Sequence, residues 1–312
     1  MRVAIYSKPD RPGGESLRAL ARGAENRGHS VFWRNPGPFT AGQEEPFDVV
    51  IVWNGHTRKH GEVSSAYKAR GVPVVAVEWG YFERGCGNFA LGDGGHYWIP
   101  IHTPGLRLLS GFGDPQPRGD VVLVCGQDPR TDKRIGEMVE ELIRPNTARK
   151  IAFRPHPSVA VSAPWADEEV SGTTLEFDLS RAWCVVTWTS NVGNEAIVRG
   201  IPVLCGPGAM YSSVAECDWK RVESVTPPPA KDVSGYISRL AWAQWTLDEL
   251  ATGLPLEFVL QCHRGVGIQR EMFSCLCTTG HIESFNADIE QGQKTSAPSA
   301  TKAKRKRGRP KK

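Results

Sequence analysis

Residues 183–205 read WCVVTWTSNVGNEAIVRGIPVLC. Trp183 to Trp188 is a nearly unbroken apolar run of strand length, Thr189 to Asn191 is polar, Val192 to about Arg199 has helical spacing, and Pro202 to Cys205 is a second apolar run. Strand, short loop, helix and strand make a βαβ unit, and apolar runs without alternation suit parallel strands covered on both faces. The loop of such a unit lies at the carboxyl end of its strand, where open α/β sheets bind ligands. A helix N-terminus there offers unpaired N–H groups and a positive dipole end, which suit a diphosphate. Ser190 or Asn191 would equally serve as a plain N-cap, with Glu195 as a near capping-box partner.

Working outward, the run Lys150 to Phe153 leads directly into Arg154-Pro155-His156-Pro157. The two prolines stiffen the turn. Arg154 offers a planar fork for phosphate oxygens and His156 a second donor; a structural turn with an exposed histidine is the alternative. Further upstream, Val121 to Val124 runs into Cys125-Gly126-Gln127-Asp128 and a helix expected from about Thr131 to Ile143. Three strand-end loops facing one cleft, carrying Gln127, Arg154, His156, Ser190, Asn191 and Glu195, favour a nucleotide site over three unrelated turns.

A second β-α series lies nearer the N-terminus. Arg2 to Ser7, Ser30 to Arg34, Phe47 to Trp53 and Val72 to Val77 are strand-like, and Glu15 to Arg27 and Glu62 to Arg70 are helix-like. The Gly- and Pro-rich stretch Pro104 to Asp120 reads as a boundary. The expected organisation is α/β: one open-sheet domain over 1–115, a second over 116–253, a helical segment over 254–290 and a disordered basic tail over 291–312. Val233 to Leu250 is expected to be a single helix stopped by Gly253.

In the first domain Glu78 follows a strand within Val77-Glu78-Trp79-Gly80-Tyr81-Phe82, and Gly92-Asp93-Gly94-Gly95-His96 continues the pattern. A carboxylate or imidazole at a cleft can take a proton from a hydroxyl, which makes Glu78, Asp93 and His56 candidates; each could instead partner a backbone amide or an arginine. Gly13 and Gly14 sit in the first βα loop, where close approach to a ligand and a tight turn are both plausible. The basic loop His56 to His60 could meet a phosphate backbone. Trp53, Trp79 and Trp188 read mainly as core, although one could stack on a base.

RPHP followed about thirty residues later by TSNVGNEAIVRGIPVLC resembles the donor-binding half of capsule polysaccharide transferases of the Kps type and their GT-B relatives. GQDPRTDK (126–133), AWAQWTLDEL (241–250) and the stretch around Glu78 are similar to segments of the same group. The resemblance implies a GT-B fold of two Rossmann-like sheets, and contact of Arg154, His156, Ser190 and Glu195 with a nucleotide diphosphate and ribose.

The chain has 312 residues and net charge +4. Lys302 to Lys312 carries eight cations and no acid, which leaves residues 1–301 at −4. The basic character therefore belongs to the tail, whose Arg307-Gly308-Arg309-Pro310 resembles the core of an AT-hook: glycine permits approach to the groove floor and two arginines extend along a narrow A/T minor groove. A tether, an RNA binder or a nuclear-localisation signal are the other readings of such a tail. The eight cysteines show no paired CxxC spacing and read as reduced core residues. No apolar run is long enough to span a membrane, and the opening MRVAIYSKPD has no charged-then-apolar leader, so a cytoplasmic protein is expected, in an infected bacterial host if a phage encodes it.

These readings converge on a glycosyltransferase that moves a sugar from a UDP- or CMP-linked donor to a hydroxymethylated pyrimidine in double-stranded DNA, of the kind phages carry. No cofactor and no metal are expected, because no paired acidic motif stands at a strand end. The alternatives are transfer to a surface polysaccharide or small acceptor, and a non-catalytic DNA-binding protein with a degenerate GT-B body.

Overall fold

The computed structural model describes residues 1–8, 13–55, 58–82, 87–93, 98–105, 107, 116–159, 161–265 and 268–276. His56, Gly94 to His96, and the tail with Arg307, Gly308, Arg309 and Pro310 lie outside the described residues.

The chain opens with β1 (Arg2–Tyr6), α1 (Gly14–Asn26), β2 (Ser30–Arg34), β3 (Val49–Trp53), α2 (Arg58–Ala69), β4 (Val74–Trp79) and β5 (Asn88–Asp93). It continues with β6 (Val121–Cys125), α3 (Pro129–Met138), β7 (Ile151–Arg154), β8 (Glu168–Glu169), α4 (Leu175–Ser180), β9 (Ala182–Thr187), α5 (Val192–Val198) and β10 (Val203–Cys205). Last come α6 (Ala230–Ala241), β11 (Gln244–Thr246), α7 (Leu247–Ala251) and α8 (Leu254–Arg264). The expected strands form because their Val, Ile and Ala side chains are buried on both faces, as in Val49 to Val52 and Val121 to Val124.

Two sheets result. The first has the order β11-β5-β4-β3-β1-β2, with β5 antiparallel to both of its neighbours; the second has the order β10-β9-β6-β7-β8 and is parallel throughout. In the second sheet, the chain leaves β6 toward β7 and leaves β9 toward β10. The strand order reverses between β6 and β9, and a crevice opens at their carboxyl ends. This pair of open α/β sheets facing a common cavity is the GT-B arrangement.

The expected single helix over 233–250 is corrected. α6 ends at Ala241, and β11 then crosses to the first sheet and pairs with β5, Trp245 level with Phe89. α7 starts afresh from a capping box between Thr246 and Glu249. Trp242, Ala243 and Trp245 are all fully buried, so the segment has no polar face to give a helical period. Arg107 replaces the interrupted helical bonds: its guanidinium donates to the carbonyl oxygens of Ala241 and, at 2.8 Å, Gln244, and to Glu249 Oε1 at 2.6 Å.

The expected second domain over 116–253 is corrected with it, because β11 (Gln244–Thr246) pairs into the first sheet and α7 and α8 pack against that half. α7 lies along α1, where Gly23 is required: a Cβ would meet the Leu250 carbonyl oxygen at 2.2 Å. α8 packs on β5, and a 3₁₀ segment at Arg270–Leu276 follows.

Candidate functional site

A cavity of about 240 Å³ lies between the carboxyl ends of the two sheets. Asn54, Glu78, Trp79, Gly80, Tyr81 and Ala90 line it from the first sheet, and Gln127, His156, Ser190 and Asn191 from the second.

Glu78 is the penultimate residue of β4. Its Oε1 accepts the Trp79 N–H at 2.9 Å, and its Oε2 accepts from the Asn54 amide. Asn54 reaches it from a left-handed conformation, φ 64°, the only positive φ among the described non-glycine residues, and Gly55 follows at 69°. An Asn-Gly pair is the pairing that such a turn selects. Gly80 lets the chain pass beside β11: a Cβ would meet Gln244 Oε1 at 2.8 Å, the atom that accepts the N–H groups of Tyr81 and Phe82.

On the opposite wall, Gln127 bonds both ways to Thr189: its Nε2 donates to Oγ1 at 2.7 Å, and its Oε1 accepts the Thr189 N–H at 3.0 Å. This reciprocal pair spans the switch point between β6 and β9. Ser190 is held by its backbone, its carbonyl accepting the Tyr211 hydroxyl at 2.8 Å and its N–H donating to Thr187 Oγ1 at 3.2 Å. Tyr211 fits only because residue 193 is glycine: a Cβ there would stand 2.2 Å from the ring.

The side chain of Asn191 does not cap α5. It donates to the Tyr81 carbonyl oxygen and accepts from Asn194 at 2.8 Å, and Asn194 in turn accepts the Tyr236 hydroxyl at 2.5 Å. Asn194 is fully buried, so this chain of amides is a rigid link between the two walls. His156 Nδ1 accepts the Ser158 N–H at 3.2 Å. A neutral ring so placed carries its proton on Nε2.

Other expected residues stand elsewhere. Arg154 donates to Asp178, whose side chain is 1% exposed, and to the Thr173 carbonyl oxygen at 3.2 Å; it does not line the cavity. Glu195 makes an ion pair with Arg199 at 2.6 Å rather than a capping box. Asp93 is level with Val75, whereas Glu78 is level with Ala90. Three residues of strand separate the two acids by about 10 Å along β4, because β5 runs antiparallel and carries Asp93 to the far end of the sheet. There it meets His263 at 2.8 Å. Gly13, φ 80°, lies against the Trp53 ring, which a Cβ would meet at 2.1 Å; Trp53 packs edge-on against Trp79, so Gly13 and Gly14 back the wall rather than line it.

Asn54, Gly80, Tyr81 and Ala90 are lining residues that the sequence reading did not single out. The Asn-Gly pair after β3 was the available signal for Asn54. Among the described residues, no group of three or more His, Cys, Asp or Glu side chains is placed to hold a metal ion, and no helix is long and apolar enough to cross a membrane.

No family model and no curated protein matches the chain. Among solved structures it is similar to the KpsC β-Kdo 2,4 transferase of Thermosulfurimonas dismutans, at 16% identity over 76% of this chain and 90% of that one, with a TM-score of 0.49. The β-Kdo 2,7 transferase of the same KpsC follows at 15% identity over 71% and 88%, with a TM-score of 0.44. T4 phage β-glucosyltransferase matches at 12% identity over 85% and 98%, with a TM-score of 0.31. UDP-GlcNAc 2-epimerases match as well. Likenesses this distant do not select a reaction.

Proposed function

We propose that this chain is a glycosyltransferase that moves a sugar from a nucleotide-sugar donor to a hydroxyl group, and that the acceptor is 5-hydroxymethylcytosine or 5-hydroxymethyluracil in DNA. The observation that carries the reading is that Glu78, near the end of β4, and His156, in the loop after β7 of the other sheet, line one cavity. A hydroxyl entering from the first sheet meets a carboxylate able to take its proton, and a phosphate leaving toward the second meets an imidazole N–H. Gln127, Ser190 and Asn191 would seat the sugar-phosphate end. Arg154 and Glu195 are left out of this contact set because Asp178 and Arg199 already hold them.

The acceptor assignment rests on the tail. Arg307-Gly308-Arg309-Pro310 has the chemistry of a minor-groove arm, which would raise the local concentration of DNA beside a body of opposite net charge.

The test incubates the purified chain with a panel of UDP- and CMP-linked sugars and with DNA containing cytosine, 5-hydroxymethylcytosine or 5-hydroxymethyluracil, followed by digestion to nucleosides and mass spectrometry. A sugar-sized gain on one hydroxymethylated base is expected. Donor bound with no DNA modified would move the acceptor to a glycan or small molecule; donor isomerised without transfer, or no donor bound, would overturn the transferase reading.

A further inference from the structure

The cysteines, expected together as reduced core residues, are divided by the structure. Cys125, Cys184 and Cys205 are buried, whereas Cys217 is exposed. Cys205 closes β10, and its Sγ lies 3.7 Å from the Sγ of Cys217. Backbone pairing sets this approach. Leu204 of β10 and Glu216 form a parallel bridge, the Cys205 N–H donating to the Glu216 carbonyl oxygen at 2.9 Å and the Glu216 N–H to that of Val203 at 2.9 Å. Cys205 and Cys217 are the next residues along. Strands paired in this way stand about 4.8 Å apart, within the Cα spacing of about 4.4–6.8 Å that a disulfide spans. Just beyond Cys217, the Trp219 indole N–H donates to the Cys205 carbonyl oxygen at 2.9 Å and holds the two stretches together.

Burial, and Cys217 beside it, push the Cys205 thiol well above the ordinary cysteine range. An exposed thiol in contact with a buried one divides the steps of an oxidation: the first meets the oxidant and the second resolves the product. We propose that Cys205 and Cys217 are a reversible oxidation site, at which a peroxide joins them in an intrachain disulfide. The Cys217 thiolate attacks one peroxide oxygen; the O–O bond breaks, a sulfenic acid forms, and the other oxygen takes up the proton that Cys217 released and leaves as water. The Cys205 sulfur then attacks the Cys217 sulfur; the S–O bond breaks, and the hydroxyl leaves with the Cys205 proton as a second water. The two thiols together lose two electrons and two protons, and the peroxide is reduced to water.

The bond closes a ring on residues 206–216, and this loop braces the candidate site. Its Tyr211 hydroxyl donates to the Ser190 carbonyl oxygen at 2.8 Å, and its Met210 sulfur accepts from the Asn194 amide at 3.2 Å. Oxidation therefore fixes the support behind the Ser190 wall, whatever reaction the cavity carries out.

The test needs no substrate. The full chain, reduced and then exposed to hydrogen peroxide either folded or in urea, is digested with trypsin without reduction and mapped by mass spectrometry. Cys205 and Cys217 share the tryptic peptide Gly200 to Lys220, which holds no other cysteine. In the folded chain this peptide loses the mass of two hydrogens and regains it with dithiothreitol, and the oxidised chain melts higher by on the order of 5 °C. Cys217→Ser, changed at an exposed position, shows neither effect, and Cys205→Ala leaves a sulfenic acid on Cys217 that dimedone traps. A Cys205–Cys217 bond no more frequent in the folded chain than in urea, or a Cys217 that passes to sulfinic acid without forming it, overturns the proposal. An oxidised chain that melts no higher than the reduced one overturns the brace.

Discussion

Glu78 accepts one N–H on each carboxylate oxygen, from Asn54 and from Trp79, which fixes the plane of the group while leaving lone pairs to face the cavity. Glu78→Gln keeps the shape and removes the base, so the proposed reaction slows by roughly 10²- to 10⁴-fold with the fold intact, measured as initial rates alongside circular dichroism. Near-normal turnover in that variant would take Glu78 off the catalytic list. Glu168 gives a prediction about stability. Bidentate hydrogen bonds from Arg181, both 3.0 Å, and contact with Lys150 at 2.6 Å hold its carboxyl down from the ordinary 4.5 to about 2. A depressed carboxyl stabilises the folded state above its unfolded value and loses that contribution as pH falls through its folded one. Thermal midpoints therefore drop between about pH 4.5 and pH 2, and Glu168→Gln shows a shallower drop over that window.

At the scale of elements, Arg107 is the residue on which the crossing from α6 to β11 depends. Its side chain is 7% exposed and bonds two carbonyls and Glu249, with the guanidinium 4.2 Å over the Trp245 ring. Arg107→Ala leaves those acceptors buried without a donor and is expected to destabilise the chain by about 3–5 kcal/mol, read from urea unfolding. Arg107→Lys recovers only part of this, because an ammonium lacks the planar fork. The same region marks the limit of what the sequence can tell. Val49 to Val52 and Val121 to Val124 announce themselves because burial on both faces selects apolar residues at every position. Gln244 to Thr246 does not: a three-residue strand is too short for a period of two, and its partner β5 is fixed by Arg107 and Gln244, residues whose roles depend on contacts more than a hundred positions away. Gln127, His156 and Ser190 were legible because each directly follows a recognisable strand. Arg154 and Asp93 misled because the sequence shows neither the buried Asp178 that holds the arginine nor the reversed direction of β5.

At the scale of the whole molecule, charge is divided between a body at −4 over residues 1–301 and a tail that carries eight cations. Ending the chain at residue 301 is expected to leave donor turnover on a free hydroxymethylated nucleoside unchanged. Affinity for duplex DNA at low salt falls on the order of 10-fold or more, and the salt dependence of binding flattens, both read by fluorescence anisotropy across a salt series. Equal affinity and slope with and without the tail would assign DNA binding to the body.

The outgoing and returning passages of chain between the two halves meet where Gly105 and Arg107 lie beside Ser238 to Gln244. They are tied where Trp242 Nε1 donates to the Gly105 carbonyl oxygen at 2.9 Å and the Arg107 N–H to Ser238 Oγ at 3.2 Å. The second sheet is thus an insertion within the first, and this sets an order of events at the ribosome. β5 is made long before β11, its partner along the outer edge, and at 5–20 residues per second the intervening 150 or so residues take roughly 8–30 s to emerge. Throughout that interval the first-made half waits with an open strand edge, and the nascent chain needs shelter there that the finished protein does not.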